Sequence, residues 1–143
     1  QQLDIPAKAV FDRLELEQKN NQGDELIFDG GPIQQDRGFI LHSTSDQKWE
    51  STIHIGDGVS LSTSKDILGD IARGSGPKDS LITLGYSSWE AGQLERELKE
   101  NTWLTIPADS SIIFNTDCTQ RAHAAALSIG LNLDSLALDS GHA

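Results

Sequence analysis

Ser87 stands where a serine hydrolase would place its nucleophile, at a predicted strand-to-helix turn. The apolar run Leu81–Leu84 and a glycine precede it, and an amphipathic segment follows it. Hydrolases use such a turn to present the serine hydroxyl at the end of a sheet. Partners for a catalytic triad come later in the chain, carboxylate first and imidazole second: Asp109 or Asp117, then His123 or His142.

Trp89 opposes this catalytic interpretation. It occupies the place where the G-x-S-x-G motif has its last glycine, and that glycine permits the close packing of the sharp turn. In the favoured alternative, Ser87 and Glu90 form a capping box at the start of the following helix. We therefore assign no catalytic residue and keep a small-molecule-binding enzyme or a hydrolase that uses Ser87 as the alternative function.

A glycine-rich turn is the second candidate site. Gly30, Gly31 and Pro32 are followed by the Asp36-Arg37-Gly38 segment. Backbone amides in such turns can surround an anion, and Arg37 would add a charged donor. The alternative is two tight turns with Arg37 paired to Asp36 or another carboxylate, and we favour it because the lysine of a phosphate-binding loop is absent.

The histidines and the single cysteine do not form a metal-ligand pattern. The chain has four histidines and one cysteine, and none of them are closely spaced. His42 and His54 lie on neighbouring predicted strands and would meet across a sheet, where a structural role is expected. Cys118 is interpreted as a packing residue. The sequence thus predicts neither a metal site nor a cofactor.

Trp89 is also the best candidate for a residue that binds a partner. Helical spacing puts it beside Gln93 on the polar side of the predicted helix, opposite Ala91 and Leu94. Tryptophan is enriched among the residues that dominate protein interfaces. Two alternatives remain: Trp89 folds back over the end of the strand, and the acidic side chains of this helix form only a solvated face.

Composition disfavours direct binding to nucleic acid. The chain has 143 residues, 11 Lys and Arg, 22 Asp and Glu and a formal net charge of −11. Its basic residues are dispersed, whereas a DNA-binding protein needs clustered cations against the phosphates. Its apolar runs are too short for a membrane-spanning helix, and one cysteine with no apparent leader favours the cytoplasm.

The pattern of apolar residues predicts helices and strands in mixed order, which is typical of an α+β or irregular α/β fold. The predicted helices cover about 6–16, 64–74, 87–100 and 119–129, the second opening with a capping box in Thr63–Asp66. The predicted strands cover 25–28, 38–42, 52–55, 59–62, 81–84, 103–106 and 112–114, with a hairpin turn at Gly56-Asp57-Gly58.

Several of these segments together resemble the AlgH/YqgE family of small bacterial proteins. They are Gly30–Pro32, Asp36–His42, Thr63–Asp66, Leu84–Glu90 with Gly92–Glu95, Asn101, Trp103–Leu104, Pro107–Asp109 and Gly141–Ala143. The resemblance implies one domain over residues 1–143 with a bent, barrel-like mixed sheet and three to four flanking helices. It also implies that the N-terminal segment of the family is missing here. The short terminal segment 132–143 is expected to form a surface tail because of its position.

The resemblance adds a function but no catalytic residues. Some members are described as candidate transcriptional regulators, one in connection with alginate synthesis. We therefore expect a non-enzymatic cytosolic regulatory or interaction protein that acts through an unknown protein or small-molecule partner. The predicted binding residues are Gly30, Gly31, Pro32, Arg37, Gly38, Tyr86, Ser87, Trp89, Glu90, Gln93 and Glu97.

Overall fold

The computed structural model describes residues 1–19 and 22–135, so most of the predicted tail at 132–143 lies outside it. The strands are β1 (Gln2–Pro6), β2 (Leu26–Asp29), β3 (Ile33–Ser43), β4 (Thr52–Gly56), β5 (Val59–Ser62) and β6 (Ser80–Tyr86). The helices are α1 (Ala7–Arg13), α2 (Lys65–Arg73), α3 (Gln93–Lys99), α4 (Ser110–Asn115) and α5 (Arg121–Ser128). No helix in the described part is long and apolar enough to cross a membrane.

The strands form one mixed sheet in the order β1-β2-β6-β3-β5-β4. β2 and β6 run parallel, and the other neighbouring pairs are antiparallel. The mixed α+β class is therefore confirmed. Within the described residues, β1 pairs only with β2 and β4 only with β5, so this six-stranded sheet is open and does not close into a barrel.

The chain is organised in two compact units. Residues 1–88 contain the whole sheet with α1 and α2, and the unit that begins at residue 89 contains α3, α4 and α5. The hydrophobic core of the first unit is a single cluster of side chains from α1, α2, one face of the sheet and the loop between β3 and β4. It comprises Ala7, Phe11, Ile27, Ile40, Trp49, Ile67, Leu68, Ala72 and Ile82.

The start of α2 differs from the predicted capping box. The N-terminal cap is Ser64 rather than Thr63, and its hydroxyl donates to the Asp66 carboxylate at 2.5 Å. The same carboxylate accepts from the amides of Glu50 and Ile67 at 2.8 and 2.9 Å. Burial opposes ionisation, but these hydrogen bonds outweigh it and lower the pKa of Asp66. Asp66 thus ties α2 to the loop before β4.

Three element predictions were wrong. β1 was not predicted: it is an edge strand of five residues, four of them exposed, and Pro6 indicates the start of a helix instead. Residues 103–106 form no strand. Residues 112–114 belong to α4, because the Asp109 carboxylate accepts from the amides of Ser111 and Ile112 and so caps a helix there. This additional helix takes the number above the three to four expected.

We expect Phe11→Ala to destabilise the first unit by about 3–5 kcal/mol, the range for removing a fully buried aromatic ring. Phe11 is completely buried within the core, whereas Ile53 on β4 has 64% of its surface exposed. Ile53→Ala is the matched control and should cost less than about 1 kcal/mol. Urea unfolding followed by far-ultraviolet circular dichroism measures both, and equal costs would contradict this core.

Candidate functional site

The predicted glycine turn brings two backbone segments into close approach. Gly30 and Gly31 join β2 to β3 and lie against Gly85 near the end of β6. A Cβ atom on Gly30 would lie 2.3 Å from the carbonyl oxygen of Gly85, and one on Gly85 would lie 2.3 Å from that of Gly31. Gly31 and Gly85 also have φ angles of 144° and 76°, which favour glycine. The glycines are therefore needed for packing.

The amides that an anion nest would use are already hydrogen-bonded. The Gly30 amide donates to the Leu84 carbonyl at 2.8 Å. The Gly31 amide donates to the Asp29 carboxylate at 3.0 Å, which is a local turn. These contacts support the tight-turn alternative for residues 30–32.

Exposed Arg37 stacks on one of two partly buried aromatic rings that contact each other. Its guanidinium carbon lies 5.5 Å from the centre of the Phe39 ring. Phe39 in turn meets Tyr86 edge-to-face, with 5.6 Å between ring centres. A guanidinium nitrogen of Arg37 is 3.5 Å from the Gln34 side chain. Among the described residues the recorded ion pair is Arg73–Asp70, so the structure does not form the alternative pairing with Asp36.

Ser87 does not occupy a nucleophile elbow. β6 ends at Tyr86, and α3 begins only at Gln93, so the turn lacks the helix that should follow the serine directly. Ser87 and Glu90 form no capping box either, because the helix cap is Gly92, with a φ of 76°. Instead, the Glu90 amide donates to the Gln93 side chain at 3.1 Å. His142 lies outside the described residues.

In the second unit, two tryptophans share one carboxylate. The indole nitrogens of Trp89 and Trp103 donate to the same oxygen of Glu97, at 3.0 and 2.7 Å. The Gln93 amide donates to the other oxygen at 2.9 Å. The two rings meet edge-to-face, with 6.0 Å between centres. We call Trp89, Gln93, Glu97 and Trp103 the tryptophan cluster.

The tryptophan cluster is exposed and held in place by charge-assisted hydrogen bonds. Trp89 has 38% and Trp103 has 49% of its surface accessible. Hydrogen bonds from Trp103, Gln93 and Trp89 stabilise the ionised form of Glu97 and lower its pKa. The helix α3 therefore orients two large aromatic rings without burying them.

Sequence reasoning found three members of this cluster and missed Trp103. The sequence instead predicts a strand over 103–106, because Trp103 opens a mostly apolar segment that stops at Pro107. The signal that could have found it is a second tryptophan just beyond an acidic helix that already carries one. Tryptophan needs a partner for its indole N–H, and a nearby carboxylate can supply it.

The two predicted sheet histidines lie on the same face but are separated by a strand. β5 lies between β3 and β4, and Ser60 of β5 is directly opposite both His42 and His54. Within the described ranges, no three His, Cys, Asp or Glu residues are arranged to hold a metal ion.

Comparison with known proteins decides the family. The sequence profile of the family described as AlgH-like matches residues 1–134. This chain belongs to the AlgH-like family. A member named UPF0301 protein from Saccharophagus degradans is 46% identical over 143 residues, which cover 100% of this chain and 70% of that relative. Another from Thioalkalivibrio sulfidiphilus is 44% identical over 143 residues and is covered to 76%.

The fold matches a solved AlgH-like structure. The solution structure of the AlgH protein from Pseudomonas aeruginosa superposes with a TM-score of 0.75 at 42% identity, over 99% of this chain and 75% of that chain. A Corynebacterium diphtheriae protein gives a TM-score of 0.56 at 17% identity, over 77% of this chain and 57% of that chain, which shows similarity of fold alone.

We expect Gly85→Ala to destabilise the first unit by about 1–3 kcal/mol, because it adds both left-handed strain and a backbone clash. Gly38→Ala is the matched control from the same sheet, since a Cβ atom there would meet nothing within 4 Å. It should leave the unfolding free energy within about 0.5 kcal/mol. Urea unfolding measures both, and a neutral Gly85→Ala would contradict the close approach.

The tryptophan cluster should open under acid. Glu97 has a lower pKa in the folded protein than in the unfolded chain, so its ionised form stabilises the folded cluster. This stabilisation is present at pH values above the ordinary pKa of glutamate and is lost as pH falls through the folded pKa. The indole N–H resonances of Trp89 and Trp103 should therefore shift together on acidification. Glu97→Gln should abolish this shared titration, whereas Glu95→Gln on the same helix should preserve it. If the two indole resonances shifted with different pH dependences, a shared carboxylate would be contradicted.

Proposed function

We propose that this AlgH-like chain is a non-enzymatic cytosolic regulatory protein that works by binding a protein partner. The observation that carries the proposal is the tryptophan cluster, in which two exposed indoles are fixed by one carboxylate. Exposed tryptophan with a preset orientation is typical of residues that dominate interfaces, because little side-chain freedom is lost on binding.

Apolar exposure around the cluster supports a protein partner. Leu104, next to Trp103, has 62% of its surface accessible, and Leu98 on α3 is also exposed. Neighbouring exposed apolar side chains supply the area that a partner can remove from water. The stack of Arg37, Phe39 and Tyr86 in the first unit adds a second surface with interface-type residues.

Charge supports regulation through a protein rather than through DNA. With 22 acidic and 11 basic residues, the formal net charge is −11, and a duplex would be repelled at low salt. Glu95 on α3 and Glu100 at its end add further negative charge, which favours a partner that carries Lys or Arg.

We expect the Trp89→Ala, Trp103→Ala double variant to lose the wild-type regulatory phenotype while it remains folded. A hot-spot residue contributes about 2 kcal/mol or more, so affinity for the partner should fall about 30-fold or more. The matched control is Leu127→Ala, which removes an exposed apolar side chain from α5.

The test is complementation of a deletion strain, with transcript profiles as readout and photo-crosslinking from residue 104 to trap the partner. Full complementation by the double variant would exclude the tryptophan cluster as the working surface. Tight DNA binding with a steep salt dependence, measured by fluorescence anisotropy, would instead contradict the choice of a protein partner.

A further inference from the structure

The inward-facing positions of β5 hold serines where a core strand normally holds apolar residues. Ser60 and Ser62 are completely buried, and with His42 they are the buried polar residues recorded in the described part of the chain. Ser62 lies opposite the core residue Ile40, so both face the helices. A buried hydroxyl costs about 1–3 kcal/mol unless it is hydrogen-bonded. Such a departure from local rules often marks a functional site.

The polar residues form two rows across β3, β5 and β4. One row runs from His42 through Ser60 to His54, and the next runs from Ile40 through Ser62 to Thr52. Directly opposed residues of paired strands project to the same face of the sheet. The side chains of both rows can therefore bond to one another.

One network of hydrogen bonds joins His42 of the first row to Ser62 and Thr52 of the second row. His42 Nδ1 lies 2.9 Å from the Ser43 carbonyl, which only accepts, so this nitrogen carries the hydrogen. In the neutral ring, Nε2 then accepts from the Ser62 hydroxyl at 2.9 Å. Since Ser62 has then given its hydrogen to His42, the 2.8 Å contact between Thr52 and Ser62 requires Thr52 to donate, and the Thr52 hydroxyl also lies 3.4 Å from the Trp49 carbonyl. With a neutral His42, the donors of His42, Ser62 and Thr52 are therefore all used within the protein, and none is left for a ligand.

A second network joins Thr44, Ser60 and His54, and with a neutral His54 its three donors form only two hydrogen bonds. Ser60 Oγ lies 2.9 Å from both His54 Nδ1 and Thr44 Oγ1, but it has one hydrogen to give. If His54 Nδ1 donates to Ser60, then Ser60 donates to Thr44, and the hydrogen of the Thr44 hydroxyl points away from Ser60. If Thr44 donates, the hydrogen of neutral His54 is on Nε2. A protonated His54 leaves both donors free, and no partner for either is recorded among the described residues.

Thr44 and His54, the two ends of this network, line one concavity of about 480 Å³. Its lining includes Thr44, His54, Ser60 and Trp49, with Lys48 as the cation. This volume falls within the range of small-molecule sites, about 300–1,000 Å³. The ionisable residues that line it are His42, Asp46, Lys48 and His54, of which His42 is buried and the other three are exposed.

We propose that this concavity binds a small oxyanion and that binding is coupled to a proton on His54. The oxyanion supplies acceptors for the Thr44 hydroxyl and for His54 Nε2–H, and Lys48 adds favourable charge. Protonation of His54 converts one outward donor into two, so the anion and the proton stabilise each other. Ser60 acts as the buried positioning residue that links the two donors.

Two other interpretations of the same residues fail. A serine nucleophile needs an accessible hydroxyl, and Ser60 is completely buried. A triad of the serine hydrolase type also places a carboxylate on the second nitrogen of the imidazole, and the described residues provide none for His54. A metal site needs three or more ligands, which the described residues also do not provide.

The test is titration with sulfate, whose charge stays constant across the range in which an imidazole loses its proton. The imidazole resonances of His54 and the amide of Thr44 are followed by NMR, with sodium chloride at equal ionic strength as the salt control. We expect saturable shifts with sulfate, and an affinity that falls about tenfold for each pH unit above that range. Phosphate and acetate, compared at one pH, distinguish a phosphate from a carboxylate ligand.

Three variants decide the outcome. His54→Gln should remove the pH dependence and at least about nine-tenths of the affinity, whereas His123→Gln in the second unit should change neither. Ser60→Ala should weaken binding while the core amide resonances keep their positions. Sulfate shifts no larger than those of chloride, or equal affinity in His54→Gln, would overturn the proposal.

Discussion

The close approach of Gly30 and Gly31 to Gly85 is the constraint on which the first unit depends. β6 is the strand that pairs with both β2 and β3, so it joins the two halves of the sheet. The connection from β2 to β3 passes against the end of β6 with no room for a side chain. Because the backbones touch there, β2 can run parallel to β6 while β3 returns antiparallel to it. The packing of α1 and α2 on the sheet follows from this arrangement.

The sequence predicted those elements whose signals are local. Gly56-Asp57-Gly58 indicated the β4–β5 hairpin because a tight turn between alternating strands needs positive φ, and Asp57 and Gly58 have it. Gly74 marked the end of α2 for the same reason. The paired glycines at Gly30 and Gly85 were visible as turns, but their mutual contact was not, since it joins residues far apart in the chain.

Elements that depend on a specific hydrogen bond were predicted poorly. The apolar run 112–114 is too short to distinguish a strand from a helix by its pattern. The Asp109 carboxylate decides between them by capping α4. Trp103 belongs to the tryptophan cluster because its indole needs an acceptor and Glu97 provides one. The row of His42, Ser60 and His54 was predicted in part. Both histidines were predicted on neighbouring strands, but nothing in the sequence distinguished Ser60 from an ordinary strand residue.

The two edges of the sheet are protected to different degrees. β1 carries Asp4 and ends in Pro6, and a charge with a proline discourages further strand pairing. β4 has the sequence Thr-Ile-His-Ile-Gly, contains no Asp, Glu, Lys or Arg, and exposes Ile53 by 64% and Ile55 by 60%. An extended segment of a misfolded neighbour meets a short, uncharged and apolar edge there. We therefore expect aggregation in concentrated solution to begin at β4, where a lysine at position 53 or 55 would act as a gatekeeper.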